Sequence, residues 1–272
     1  MAVIVLCSAS GSPGVTSTAL GIALAWPRPV LLVDADPTGG SAIFAGYLRA
    51  QSAPTDSLVD LALAARDGQL TAAIAAAAMR IPGPSGADVS TVSLLPGTRA
   101  HGQARGLSGL WEPLAAELTA LEPTGQDVIV DAGRLGLVGS PEPLLYAADA
   151  ALLVARSDLV SLAGARSWAE TLRTGFERVG GVSALSLLLV GEGRPYSARE
   201  VRKVLQIPVT ASLPWDPDAA AVFALGATAP RRFGSSALVR SLTAASTAVQ
   251  AAVAANREQL VAVGAGSAGG LA

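Results

Sequence analysis

The sequence predicts an α/β protein with a mostly parallel central sheet of about seven strands and helices on both faces. Three observations predict it. Short apolar runs bounded by turn residues alternate with longer alanine-rich runs, the pattern of strands buried on both faces and joined by crossover helices. The first run, Ala2–Leu6, passes through a glycine–proline turn into Ser and Thr residues suited to opening a helix. Two later runs end in acidic, turn-rich segments, DADPTGG from Asp34 and DAGRLG from Asp131. In open parallel sheets, ligands bind beyond such carboxyl ends.

Each segment can be justified in turn. Helical character runs from Thr16 to Trp26 and stops at Pro27 and Pro29; Val30–Asp34 (VLLVD) is a short buried strand. Helices are expected over Ile43–Ala50, Ser57–Arg66 and Gln69–Arg80, followed by an exposed loop at Ile81–Ala87. Val89–Leu95 reads as a strand, Leu107–Leu121 as a helix and Asp127–Asp131 (DVIVD) as a fully buried strand with acidic ends. Strands then follow at Ala150–Ala155, Leu185–Val190 and Pro208–Leu213, separated by helices at Asp158–Phe176 and Ser197–Gln206. Helices at Asp218–Leu225 and from Ser235 to about Gln259 close a single domain over 1–260, and 261–272 is expected to be a disordered tail. No internal repeat occurs at periods of about 20 to 50 residues.

Composition narrows the chemistry. Of 272 residues, 51% are hydrophobic but only 4% aromatic, so the apolarity is largely alanine and does not itself indicate a membrane protein. No basic segment precedes Ala2–Leu6, which therefore reads as a strand and not a signal peptide; a cytoplasmic location is the expectation. Cys7 is the only cysteine and His101 the only histidine. That excludes an internal disulfide, a cysteine-built metal cluster and a zinc site of several histidines. The net charge of −2 gives no global attraction for nucleic acid. Lys203 is the sole lysine, so a mechanism needing a lysine elsewhere is closed.

The chemistry is expected at the first loop. A strand, a Gly-rich loop and a helix start with Ser and Thr supply phosphate-binding amides and a hydroxyl for Mg²⁺, while an Asp ending a second buried strand supplies the metal's outer shell. On these residues the sequence resembles the ParA/MinD group of P-loop ATPases with the deviant Walker A motif K-G-G-x-G-K-T. Aligned through Gly14-Val15, Ser12 stands at the signature lysine, Pro13 at the next glycine, Thr16 at the last glycine, Ser17 at the Walker lysine and Thr18 at the Mg²⁺-binding threonine. DADPTG from Asp34 resembles the D-x-D-P-Q-G switch, DVIVDAG from Asp127 the Walker B strand, and Leu213-Pro214-Trp215-Asp216 the I-P-x-D segment.

The resemblance implies a three-layer P-loop NTPase fold of the SIMIBI type. It also implies a nucleotide site at Gly11, Ser12, Pro13, Gly14, Val15, Thr16, Ser17, Thr18 and Pro214, with Mg²⁺ at Thr18, Asp34 and Asp131 and Asp36 organising the hydrolytic water. Both family lysines are absent. A hydrogen bond to a charged group contributes ~1.5–3 kcal/mol, so losing two weakens nucleotide binding by roughly two to four orders of magnitude.

The expectation is thus a positioning or partitioning protein acting as a scaffold or pseudo-ATPase on ATP and Mg²⁺ sites that are weak or absent. Its partner would be a protein of a cellular positioning, pilus or secretion, or division system, with a homodimer possible and no membrane or nucleic acid. One alternative is an atypical Mg-ATPase in which Arg134 or Arg156 replaces the lysines. Another is a Rossmann-type dinucleotide-binding protein, suggested by the acidic end of the second strand.

Overall fold

Along β1 (Val3–Ser8) every side chain is buried, and successive residues serve opposite faces of the sheet. Val3, Val5 and Cys7 enter one core with Leu61, Trp111 and Phe176; Ile4 and Leu6 enter the other with Leu20, Phe223 and Leu242. These two cores, one on each face, make the three-layer architecture. A computed structural model describes residues 1–51, 56–84, 89–121 and 125–268.

From β1 the chain runs through α1 (Val15–Leu24), β2 (Val30–Asp34), α2 (Leu58–Arg66), α3 (Leu70–Ala77), β3 (Met79–Pro82) and β4 (Val89–Leu95). It continues as α4 (Trp111–Ala120), β5 (Asp127–Arg134), α5 (Glu142–Tyr146), β6 (Ala150–Arg156) and α6 (Leu159–Arg178). The last elements are β7 (Leu185–Val190), α7 (Ala198–Leu205), β8 (Val209–Leu213), α8 (Pro217–Leu225) and α9 (Ala237–Ala268).

The strands form one sheet in the order β3-β4-β2-β5-β1-β6-β7-β8. All pairings among the described residues are parallel except β3 with β4. β5 lies between β1 and β2, with Ile129 beside both Ile4 and Leu32. A Rossmann sheet places the first two strands side by side, so the dinucleotide-binding alternative has the wrong topology.

Eight strands, not seven, make the sheet. The additional one is β3, where an alanine-rich helix was expected to run into a loop; residues 85–87 of that loop lie outside the described residues. Arg80 pairs with Ser93 and the Ser90 hydroxyl donates to the Ile81 carbonyl at 2.5 Å. An edge strand tolerates Pro82, which has no N–H to give. The helix expected over Ile43–Ala50 is shorter: a π-helical turn occupies Ile43–Tyr47, after which Arg49 and Ala50 take left-handed backbone angles. A 3₁₀ turn at His101–Leu107 precedes α4, and the five-residue α5 had no sequence expectation.

Helix starts carry their own reasons. Ser57 with Asp60 and Ser197 with Glu200 form capping boxes on α2 and α7, while Asp158 and Asp216 accept from backbone N–H groups at the starts of α6 and α8. At the sheet edge opposite the loop, buried Asp127 accepts from the Ala2 N–H at 2.7 Å and the Trp26 indole N–H at 2.6 Å, and pairs with Arg28 at 2.7 Å. This carboxylate ties the chain start and the end of α1 to β5.

Within α9 the segment Ala237–Gln259 is long and apolar enough to cross a membrane. Leu238, Leu242, Ala245, Val249 and Val253 form a buried stripe on it, and the helix packs against α1 and β8. A helix that completes a core in this way satisfies the same length and hydropathy test as a membrane span. The helix extends into the expected tail; residues 269–272 lie outside the described residues.

Candidate functional site

The loop between β1 and α1 sits at the carboxyl edge of the sheet. Gly11 (φ 77°), Ser12 (φ 43°) and Gly14 (φ 94°) are all left-handed, and alternating backbone hands are the geometry from which anion nests are made. Gly14 caps α1, and its carbonyl accepts from the Thr18 N–H at 2.9 Å. Pro13 interrupts the nest because it has no N–H. The loop therefore keeps a cradle's backbone while lacking one donor and both lysines.

On one side of the loop three acidic residues meet. β2 delivers Asp34 and Asp36, and β5 delivers Asp131, held in register by the Ala35 N–H on the Asp131 carbonyl at 2.9 Å. Asp34 and Asp131 are buried, and one oxygen of each lacks a hydrogen-bond partner. Burial pushes the Asp131 carboxyl up to about 7, aided by the charges of Asp34 and Asp36 and opposed by hydrogen bonds from the Thr16 hydroxyl and the Gly133 N–H. Burial likewise raises Asp34 to about 6, with Asp36 adding to the rise and a hydrogen bond from Ser41 opposing it. Asp36 is held in a turn by the Thr38 N–H at 2.9 Å and lies against Gly133, where a Cβ would come within 2.4 Å of its carboxyl carbon.

Thr16 and Thr18 part company on α1. Thr16, not Thr18, is the hydroxyl whose proximity lowers the Asp131 carboxyl. Residues two apart on a helix are separated by about 200°, so Thr18 turns instead toward a second space.

That space is a cavity of about 290 Å³ between the loop and the ends of β7 and β8. Ser12, Pro13, Gly14, Ser17, Thr18 and Pro214, all sequence candidates, line it. Val15 is buried, and Gly11 instead faces Ser161 of α6, where a Cβ would lie 3.8 Å away. Two further side chains shape the cavity: Arg156 at the end of β6, and Trp215 after β8. The Arg156 guanidinium donates to the Ser12 carbonyl at 3.2 Å and lies over the Trp215 ring at 4.8 Å, a cation–π distance. Its Nε is buried without a partner. Arg134, the other arginine weighed from sequence, is exposed at the end of β5. The tryptophan's role had no signal beyond its place after Leu213-Pro214.

The unpartnered oxygens of Asp34 and Asp131 are hard donors of the kind Mg²⁺ takes. Among the described residues no three acidic, histidine or cysteine groups form a metal cage. The donor set suits a cation that keeps waters or phosphate oxygens as its other ligands.

A β1-loop-α1 turn, acidic ends on β2 and β5, and β5 inserted between β1 and β2 give the chain the three-layer fold of ParA and MinD structures. Solved structures agree. A ParA family ATPase from Chlorobium tepidum TLS superposes with a TM-score of 0.69 at 19% identity, covering 90% of this chain and 98% of that one. The septum site-determining protein MinD of Pyrococcus horikoshii OT3, complexed with Mg-ADP, gives 0.65 at 18% identity, over 90% and 94% of the two chains. A chain of the MinC:MinD cell division protein complex of Aquifex aeolicus gives 0.69 at 16% identity, over 92% and 96%. No family model and no curated protein matches the sequence.

Proposed function

We propose that this chain is a ParA/MinD-like positioning or partitioning protein that works as a protein-binding scaffold in the cytoplasm, with ATP and Mg²⁺ bound weakly or not at all. The observation that carries this reading is the loop itself. Its backbone keeps the cradle, yet the cation that reaches it, Arg156, donates to the Ser12 carbonyl and stacks on Trp215. An arginine so engaged ties the loop to β6 and to Trp215. Support for a protein partner comes from the MinC:MinD complex, and support for the ancestral ligand from the MinD structure with Mg-ADP. Isothermal titration of the full chain with ATP and Mg²⁺ tests the reading. No heat at micromolar nucleotide is expected, and micromolar affinity would overturn it.

The position of Arg156 also favours a second reading, an atypical Mg-ATPase in which this guanidinium leaves Ser12 to meet a phosphate. In that case Asp36 organises the attacking water, Asp34 and Asp131 supply the carboxylates on the metal side, and a nucleotide-linked homodimer becomes available. Phosphate release by the wild type compared with Asp36→Ala decides it, since equal rates reject hydrolysis at this site.

A further inference from the structure

A larger cleft lies away from the P-loop, between the C-terminal half of α1, the π-helical turn, β3 and residues 226–234. Its volume is about 1,090 Å³. Phe223 and Leu242 line both this cleft and the P-loop cavity and so form the wall between them.

The walls are built in advance. A Cβ on Gly46 would lie 2.0 Å from the Ala224 carbonyl oxygen, so α8 and the π-helical turn meet backbone to backbone. Arg49 (φ 52°) and Ala50 (φ 51°) are consecutive non-glycine residues in the left-handed region, a conformation that costs about 1–2 kcal/mol per residue and persists only where the surroundings impose it. Here the Ala50 N–H donates to the Phe44 carbonyl at 2.7 Å, and Arg49 Nε donates to the Gly226 carbonyl at 2.6 Å. Strain of this kind gathers at ligand clamps.

The chemistry of the lining is one-sided. Arg49, Arg80 and Arg231 come from three different segments, and no Asp or Glu is among the described lining residues, although the whole chain carries a net charge of −2. The lining also includes the apolar side chains of Leu48, Met79 and Phe233. Guanidiniums carried by three separate segments, together with apolar side chains in one cleft, match carboxylates along a peptide that also carries an apolar anchor.

We infer that this cleft docks an acidic peptide segment of a partner protein, with an aliphatic or aromatic side chain on the apolar floor and carboxylates on Arg80 and Arg231. The inference rests on the proposed scaffold role only in taking the ligand to be a protein. Nucleotide titration tests that role at a different site, so the two fail separately.

The test is a selection from a random peptide display library on the full chain, followed by fluorescence anisotropy of the synthesised peptides. Selected peptides are expected to be acidic with an apolar anchor, and to bind the Arg80→Glu/Arg231→Glu variant at least about tenfold more weakly, a change of ~1.4 kcal/mol. Affinity for Arg166→Ala, at an exposed position of α6 outside the cleft lining, should be unchanged. Both arginines are exposed; if the double variant melts early, Thr243→Trp, at an exposed lining position, serves to block the cleft. Failure to select any peptide, selection of neutral or basic ones, or equal binding to the cleft variants overturns the proposal. So does dodecanoate binding the cleft more tightly than every selected peptide, which would make the ligand a fatty anion.

Discussion

Asp34 and Asp131 face each other across neighbouring strands with an unpartnered oxygen apiece, and their burial couples stability to pH. Unfolded, each carboxyl titrates near 3.8; folded, Asp34 stands at about 6 and Asp131 at about 7. Between these values the native state holds protons that the unfolded chain has lost. The stability they contribute is therefore full below about pH 4 and is lost as pH rises through 6 to 7. Denaturant melts at pH 5 and pH 8 should show this fall, and Asp131→Asn should recover on the order of 2 kcal/mol at pH 8. Arg156 makes a second expectation. Replacing it with Ala removes the donor to Ser12, so hydrogen exchange at Gly11–Thr18 should quicken and stability drop by about 1 kcal/mol. Unchanged exchange would mean that the loop holds its left-handed turns without this arginine.

Two packing contacts set how the elements carry these residues. Asp127 joins the chain start, α1 and β5 through three donors, so Asp127→Ala strands Arg28 and two N–H groups. A loss of about 3–5 kcal/mol is expected from urea melts. Asp127 and Asp131 look alike in DVIVD; one braces the rear of the sheet and the other reaches the loop, because a five-residue span of strand carries them to opposite edges. The second contact is Gly46 against α8. Gly46→Ala forces its Cβ into the Ala224 carbonyl, and should lower stability by roughly 1–3 kcal/mol while also weakening peptide binding at the cleft. The central strands could be read from sequence because apolar runs with turn signals have few other fates. β3 and the π-helical turn could not: MRIP is a four-residue run ending in a proline and IFAGY holds a glycine, so neither carries a clear local pattern, and partners distant in sequence chose their conformations.

For the molecule as a whole, α9 decides whether the chain is core or anchor. Its buried stripe lies on α1 and β8, so the full chain should remain in the supernatant on sedimentation with anionic liposomes, and deleting 237–272 should expose the second core and cause aggregation. Pelleting of the intact protein would show that α9 can leave the sheet. The sequence alone was enough for the α/β class, the glycine–proline loop after the first strand, its want of lysine and the acidic strand ends, because these depend on local pattern and residue chemistry. It also supplied the P-loop side of the cavity, including Ser12, Ser17 and Thr18, and Pro214 opposite. Three-dimensional packing assigned the rest: β5 between β1 and β2, Thr16 on Asp131, Arg156 on Ser12 and Trp215, and the arginine-rimmed cleft. Each of those contacts joins segments far apart in the chain, and strand order, helix phase and side-chain reach fix them only once the sheet has formed.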